Sequence, residues 1–356
     1  MSSFMRAVVT REPGQMEVVE RPVPELTSTD EVLVRPEAVG LCGSDIHMFR
    51  GDLGAQAPGD GLYPRVQGHE LSCVVEGLGG PAQDGLTVGD RVAVLPVIAC
   101  GECYPCRTGR PNVCAHLMVL GVHVDGGLAE RMVLPRSQVF SARGLAPEVT
   151  AFIEPVAVAV HAVRRARIAA GEHAVVFGAG PIGQAVCLAA KAAGAVVAVV
   201  EPLANRRELG PAADADLMVD PATSSVRDVL REWSGTTAPE VVVDTTAAPA
   251  VLGQALDVVT QGGRVVLVGL TDQEATFPYG LPAHKELDIL GTSCCDRDDF
   301  VLAVRLVSEA SDKIGPLITQ QFALDRAAEA IAFIAEHPER SMKVVVRVDG
   351  TSSADR

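Results

Sequence analysis

From residue 174 onward the chain repeats one unit: a short, mainly apolar run without clean alternation followed, in most cases, by an interval of helical length. The runs are 174–177, 196–200, 217–219, 241–243, 265–268 and 287–290. None shows the apolar/polar alternation of a strand with one wet face. Strands of this kind are buried on both faces, which requires a parallel sheet covered by helices. Gly178-Ala179-Gly180-Pro181-Ile182-Gly183 sits between the first run and the helical stretch 184–193. Glycines at those three positions permit a tight turn, approach of a pyrophosphate to bare backbone, and close packing of helix on strand. The helix N-terminus then turns its free N–H groups toward the phosphates. Glu201 ends the second run, 18 residues past Gly183. A carboxylate there accepts from the adenosine ribose hydroxyls and repels a 2′-phosphate, which favours NAD over NADP. Gly178, Gly180, Pro181, Ile182, Gly183 and Glu201 are the candidate cofactor contacts. Arg206 joins them, and because it and Arg207 lie where arginines can serve a 2′-phosphate, the strictness of that preference stays open.

Residues 1 to about 150 have a different texture, with short strands divided by Gly and Pro turns. Segments 5–9, 32–35, 71–76 and 91–95 read this way, with Gly89-Asp90 as a turn. After about residue 290 the strand–helix rhythm is expected to stop. A helix over 298–309 should lead to a last strand over 343–348, and 351–356 should fray. A length of 356 residues suits about two domains.

One run in the first half carries its own chemistry. Cys100, Cys103, Cys106 and Cys114 are spaced C-x2-C-x2-C-x7-C. Two-residue gaps aim successive thiolates at one centre, which suits a closed, structural zinc site of about residues 97–116. A ferredoxin-type iron–sulfur run would have x3 before its fourth cysteine and proline after it, whereas Ala115 follows here. Nine cysteines, an odd number with five outside the run, argue against a disulfide framework. A closed site performs no chemistry, so any activity lies elsewhere.

A net charge of −15 disfavours nucleic acid and anionic membrane surfaces as partners. No apolar run is long enough to span a bilayer. The first ten residues lack the apolar region of a signal peptide. The expectation is a cytoplasmic protein with a small-molecule substrate.

Two further segments, Cys42-Gly43-Ser44-Asp45-Ile46-His47 and Gly68-His69-Glu70, precede the four cysteines, and Glu154-Pro155 precedes the glycine-rich turn. With these motifs in this order, the chain resembles the zinc-dependent medium-chain alcohol and polyol dehydrogenases over nearly its whole length. The nearest branch is the sorbitol-, threonine- and galactonate-dehydrogenase-like one. The resemblance implies an α/β fold: a GroES-like β-rich catalytic domain of residues 1–152 and 291–356, with a doubly wound Rossmann NAD-binding domain, 153–290, inserted.

It also implies two zinc ions per chain. One lies in the four-cysteine lobe. The other is catalytic, ligated by Cys42 and His69, with Glu154 in the place of a third cysteine and Glu70 beside the metal as ligand or exchanging neighbour. Ser44 would take the substrate proton, His47 would pass it to solvent through the cofactor ribose, and Asp45 would orient the metal ligands. The implied reaction moves a hydride between a secondary alcohol (a polyol, sugar or sugar acid) and NAD, in a homotetramer or dimer. Threonine-like or simple secondary alcohols are alternative substrates.

Each residue has a plainer reading when taken alone. Cys42 could be a small buried apolar residue and His69 a satisfied core histidine. A zinc-free reductase would lack the ligand set, and a non-catalytic module would be expected to have lost Cys42, His69 or Ser44. Two departures from the family pattern stand out. Cys73 replaces a glycine three residues after Glu70, and no arginine lies near Ser293 in Gly291-Thr292-Ser293-Cys294-Cys295. His123 and Asp125 are secondary candidates for the substrate pocket.

Overall fold

A computed structural model describes residues 3–53, 62–81, 85–235 and 238–348. The tail 351–356, expected to fray, lies outside the described residues. The chain divides into two compact units, Met1–Glu154 with Asp296–Arg356, and Pro155–Cys295.

In the second unit the apolar runs form a six-stranded parallel sheet. Its order is Leu217–Val219, Val196–Val200, His173–Phe177, Val241–Asp244, Arg264–Leu267 and Asp288–Gly291. The first strand in the chain is thus third in space. The sheet grows one way from it through the next two strands, then restarts on its other side, the doubly wound arrangement. Val175, Phe177, Ala198, Val242 and Val265 are buried in its core with Leu230 and Leu256 from the covering helices. The glycine turn follows His173–Phe177 directly, and the helix Pro181–Ala192 begins with Pro181, whose missing N–H costs nothing in a first turn. The turn therefore lies at the carboxyl end of the strand beside which the order reverses, the usual ligand position in such sheets.

The first unit is built on a seven-stranded sheet. Its path runs Val139–Ser141, Arg91–Val94, Glu70–Leu78, Glu31–Gly40, Lys343–Arg347 and Ile318–Ala323, with Met132–Pro135 also paired to Glu31–Gly40. Phe4–Glu12 pairs separately with Gln15–Pro22 and with Arg65–Val66. Val32, Val34, Leu71, Val92, Leu134, Val344 and Val346 share one buried cluster. Pro36 sits within the long strand Glu31–Gly40 at a register shift opposite Cys73, where its lack of an N–H is tolerated. At the end of that strand Gly40 is paired with Glu70 on one side and Val345 on the other. Chain segments some 270 residues apart are so brought to one point.

The strand–helix rhythm does not stop where the sequence suggested. Ile318–Ala323, the helix Ala327–Glu336 and Lys343–Arg347 form one more parallel unit inside the first domain. The missed strand is Ile-Thr-Gln-Gln-Phe-Ala, half-buried at the sheet edge, so it carries no apolar run for periodicity to find. Among the described residues, no helix is long and apolar enough to cross a membrane.

Candidate functional site

The four cysteines converge as their spacing suggests. Gly101, at φ +80°, turns the chain after Cys100, and the short helix Tyr104–Arg107 places Cys103 at its N-cap and Cys106 in its turn. The Sγ atoms of Cys103 and Cys106 are 3.4 Å apart, those of Cys103 and Cys114 3.7 Å, and those of Cys100 and Cys114 3.4 Å. Zinc–sulfur bonds of about 2.3 Å at tetrahedral angles put sulfurs about 3.8 Å apart, so a zinc fits this cage. Disulfides, at about 2.05 Å, do not match it. Backbone N–H groups of Cys100 and His116 point at Cys114 Sγ, at 3.3 and 3.2 Å, and that of Ala115 at Cys103 Sγ, at 3.4 Å. These amides favour thiolates. The Cys103 thiol is drawn down to about 6, chiefly by the Cys106 and Ala115 amides.

The second cluster assembles around a helix start. Cys42 is the N-cap of the helix Gly43–Arg50, and the Asp45 carboxylate turns back to accept the Cys42 N–H at 3.0 Å. Asp45, 1% exposed, also accepts the Gly68 N–H at 3.2 Å, tying the helix to the segment that carries His69 and Glu70. Cys42 Sγ, a ring nitrogen of His69 and a carboxylate oxygen of Glu70 all lie within 4.8 Å of one another. Ser44 and His47 are three residues apart on the helix. Ser44 is half-buried; His47 is exposed, with Nδ1 3.0 Å from Asp52 Oδ1.

The electrostatics of this cluster call for a cation. His69 Nδ1 is buried, makes no hydrogen bond, and lies 3.9 Å from Asp45 Oδ2. Burial alone would depress the imidazole, but Asp45 first, then Cys42 and Glu154, hold it well above its usual value. Glu154, in the first turn of the helix Ile153–Ala166, is not one of the three groups within 4.8 Å, yet it feels the same charges. Its carboxyl is pushed up to about 7, mainly by burial and further by Glu70 and Asp45, against the pull of His69 and Lys343. A thiol, an imidazole and two or three carboxyls in a low-dielectric site form a donor set that zinc accepts.

Two residues that the sequence did not mark complete the site. Lys343, buried at the start of the last strand, donates to Glu70 Oε1 at 2.5 Å and to Leu41 O at 2.9 Å. Gly40 leaves room for this pair: a Cβ there would lie 2.1 Å from Glu70 Oε2 and 3.0 Å from Lys343 Cε. A charged residue opening the apolar run Val344-Val345-Val346 was the available signal. His123 and Asp125 both make local polar contacts, and Asp125 also lines a cavity of the first unit. His123 Nδ1 accepts the Val119 N–H at 3.1 Å, while Asp125 pairs with Arg21 at 2.6 Å and accepts the Val66 N–H at 3.0 Å.

In the second unit the glycine turn has the tightness a dinucleotide loop needs. Gly178 is at φ +92°, and a Cβ on Gly183 would lie 1.9 Å from Gly178 O. Above Gly180 the nearest atom to a built Cβ is an Arg206 nitrogen at 3.6 Å, so this backbone is open to a phosphate. Glu201 is 3% exposed; its Oε2 accepts the Ala179 N–H at 2.7 Å and its Oε1 the Leu203 N–H at 2.9 Å. The acid therefore also fastens the turn. Arg207 donates to the carbonyls of Glu201 and Pro202, each at 2.8 Å, and pairs with Asp220, so it is committed to the local fold.

Comparisons with known proteins agree with both halves. Residues 28–144 match the alcohol dehydrogenase GroES-like domain and 181–309 the zinc-binding dehydrogenase family. L-galactonate-5-dehydrogenase of Escherichia coli (strain K12) is 34% identical, over 92% of this chain and 94% of that protein. An alcohol dehydrogenase from E. coli CFT073, solved with NADH, superposes with a TM-score of 0.86 at 30% identity, covering 98% of this chain and all of that one. Galactitol-1-phosphate dehydrogenase from E. coli gives 0.85 at 28% identity over 97% of this chain and all of its own. With a GroES-like unit, a Rossmann unit and this degree of identity along almost its full length, the chain belongs to the zinc-dependent medium-chain alcohol and polyol dehydrogenases.

Proposed function

We propose that this enzyme oxidises a secondary alcohol of a sugar acid or polyol, with NAD as acceptor, at a zinc held by Cys42, His69 and a carboxylate of Glu70 or Glu154. The observation that carries the reading is the convergence of Cys42, His69 and Glu70 within 4.8 Å of one another, with Cys42 capping the helix that bears Ser44 and His47. When bound, zinc supplies Lewis acidity to the alcohol oxygen and NAD accepts the hydride. Ser44 takes the proton of the substrate hydroxyl and His47 hands it on toward solvent, which its exposure suits. Asp45 fixes the Cys42 N–H and the His69 segment, holding the ligands in place.

Within the second unit, the glycine turn holds the pyrophosphate, and Glu201 selects the unphosphorylated ribose. The name of the galactonate-oxidising relative supports a sugar acid; the lack of an arginine within residues 291–295 argues against simple transfer of a sorbitol-type substrate. We place the enzyme in the cytoplasm as a homo-oligomer, a tetramer or dimer.

The test is a dehydrogenase screen of the purified enzyme over aldonates, polyols and simple secondary alcohols, with NAD and NADP, alongside zinc content. Turnover of an aldonate or polyol with NAD, at about two zincs per chain, is the expected result. His69→Ala should abolish that turnover while NAD still binds. Full activity in a zinc-depleted His69→Ala enzyme would refute the metal mechanism.

A further inference from the structure

We infer that Gln67, anchored by Thr10, is a positioning residue for the Cys42/His69 zinc site and acts through Asp45. The inference rests on the zinc assignment proposed above. Neither residue touches Cys42, His69 or Glu70 by any hydrogen bond described for them, and both are 0% exposed. A fully buried glutamine must satisfy an amide with two donors and an acceptor, and an unmet one costs about 1–3 kcal/mol. The Gln67 amide meets that requirement in one orientation. Its Nε2 donates to the Asp45 backbone carbonyl at 2.9 Å, an atom that can only accept, so the amide nitrogen has to face Asp45. Its Oε1 is then left to accept the Thr10 hydroxyl, at 2.6 Å.

The same nitrogen lies 3.4 Å from Asp45 Oδ1, which also accepts the Gly68 N–H at 3.2 Å. Two donors thus hold Oδ1, while Oδ2 accepts the Cys42 N–H and faces His69 Nδ1. A carboxylate rotor so pinned presents one oxygen to the imidazole in a fixed direction. At 3.9 Å that oxygen acts on the ring through its charge rather than by accepting a hydrogen bond, and so biases the orientation of a ligating histidine. Thr10 belongs to the strand Phe4–Glu12 and Gln67 follows Arg65–Val66, strands that pair at Thr10 and Arg65. The chain Thr10–Gln67–Asp45 therefore couples the small sheet to the metal ligands.

The experiment uses the zinc-loaded full chain and follows release of zinc to a chelator, with the four-cysteine zinc as an internal control. Removing a partner of this kind typically changes metal affinity or activity about 10–100-fold. Gln67→Leu should speed loss of the catalytic-site zinc by that factor and leave the four-cysteine zinc at its wild-type rate. The same variant with cobalt in the catalytic site should shift the visible absorption bands. Thr10→Val should act in the same direction by a smaller factor. In an Asp45→Asn background the added effect of Gln67→Leu should vanish, because residues acting through a shared partner are not additive.

Zinc release and cobalt spectra in Gln67→Leu that match wild type would overturn the inference. If Gln67→Leu does not fold, Thr10→Val decides: wild-type release in it overturns the inference equally. Parallel loss of both zincs would assign these residues to general stability and reject the positioning role. A wild-type enzyme that holds zinc only on its four cysteines would instead sink the proposed metal site itself.

Discussion

The Lys343–Glu70 pair makes a sharp quantitative prediction. Its side chains are 3% and 2% exposed, and the ammonium meets both carboxylate oxygens as well as Leu41 O. Burial by itself would depress Lys343, but Glu70, Cys42 and Glu154 together outweigh it and hold the amine above its usual value. Replacing the lysine with methionine keeps most of the stem and removes the charge. Glu70 is then a buried carboxylate without its cation, and breaking a buried pair from one side costs about 3–5 kcal/mol. For a unit of 150–250 residues each kcal/mol moves the midpoint by about 2–4 °C, so Lys343→Met should lower Tm by about 6–20 °C. The loss should be greatest in zinc-stripped protein, where the metal no longer lies beside Glu70 and only His69 is left to offset its charge. Glu70→Gln combined with Lys343→Met should recover at least half of it, since both charges are then absent. Thermal unfolding of the three proteins, with and without chelator at one scan rate, makes the measurement. A Lys343→Met protein within about 1 kcal/mol of wild type in both metal states would refute the reasoning.

Other substitutions test other parts of the molecule. Cys103→Ser should remove one zinc per chain and lower Tm, as metal binding there is coupled to local folding; unchanged zinc content and Tm would count against a structural zinc. Glu201→Ala should narrow the preference for NAD over NADP and also raise KM for NAD, because the Ala179 N–H loses its acceptor; steady-state kinetics with both cofactors decide, and a wild type faster with NADP would end the argument. Ser44→Ala should reduce kcat by roughly 10²–10⁴-fold, with His47→Ala milder and its pH–rate profile moved to higher pH; near-wild-type kcat in Ser44→Ala removes the relay. Asp216 pairs with Lys191 and accepts the Val197 N–H, which together outweigh its burial and lower its pKa. A depressed carboxylate stabilises the fold above its unfolded pKa and loses that contribution as pH falls through the folded one. Asp216→Asn should therefore cost about 0.2–1 kcal/mol at pH 7, with the gap to wild type closing below about pH 4. A gap that persists in acid contradicts this.

Local signals in the sequence were strong where one segment carries the whole physical requirement. The parallel strands announce themselves because burial on both faces demands Val, Ala and Phe in succession, as in Ala174-Val-Val-Phe177. Gly178 and Gly183 are legible because their turn forbids a Cβ. The four cysteines lie within 15 residues, so their spacing alone fixes a common centre. Ile318–Ala323 escaped notice for the opposite reason. As an edge strand it buries too little to need an apolar pattern, and its identity depends on pairing with Lys343–Arg347.

The same division runs through the metal site. Cys42, His69, Glu70 and Glu154 are legible only through the family motifs that carry them, since each residue type alone has a plainer reading, although all are donors that zinc accepts. What balances their charge is not visible in those segments. Lys343 reaches Glu70 from 273 positions away in sequence, and Gly40 admits the pair only because three strands meet there in one register. Gln67 adjoins the Gly68-His69-Glu70 segment but reads as a polar loop residue until Asp45 and Thr10 are placed around it. A ligand set can therefore be kept intact while its setting changes. Substitutions at Gly40, Gln67 or Lys343 should alter how firmly the site holds its cation without touching a donor atom. The donors decide which metal is bound, and these buried neighbours decide how well the empty site tolerates its own charge.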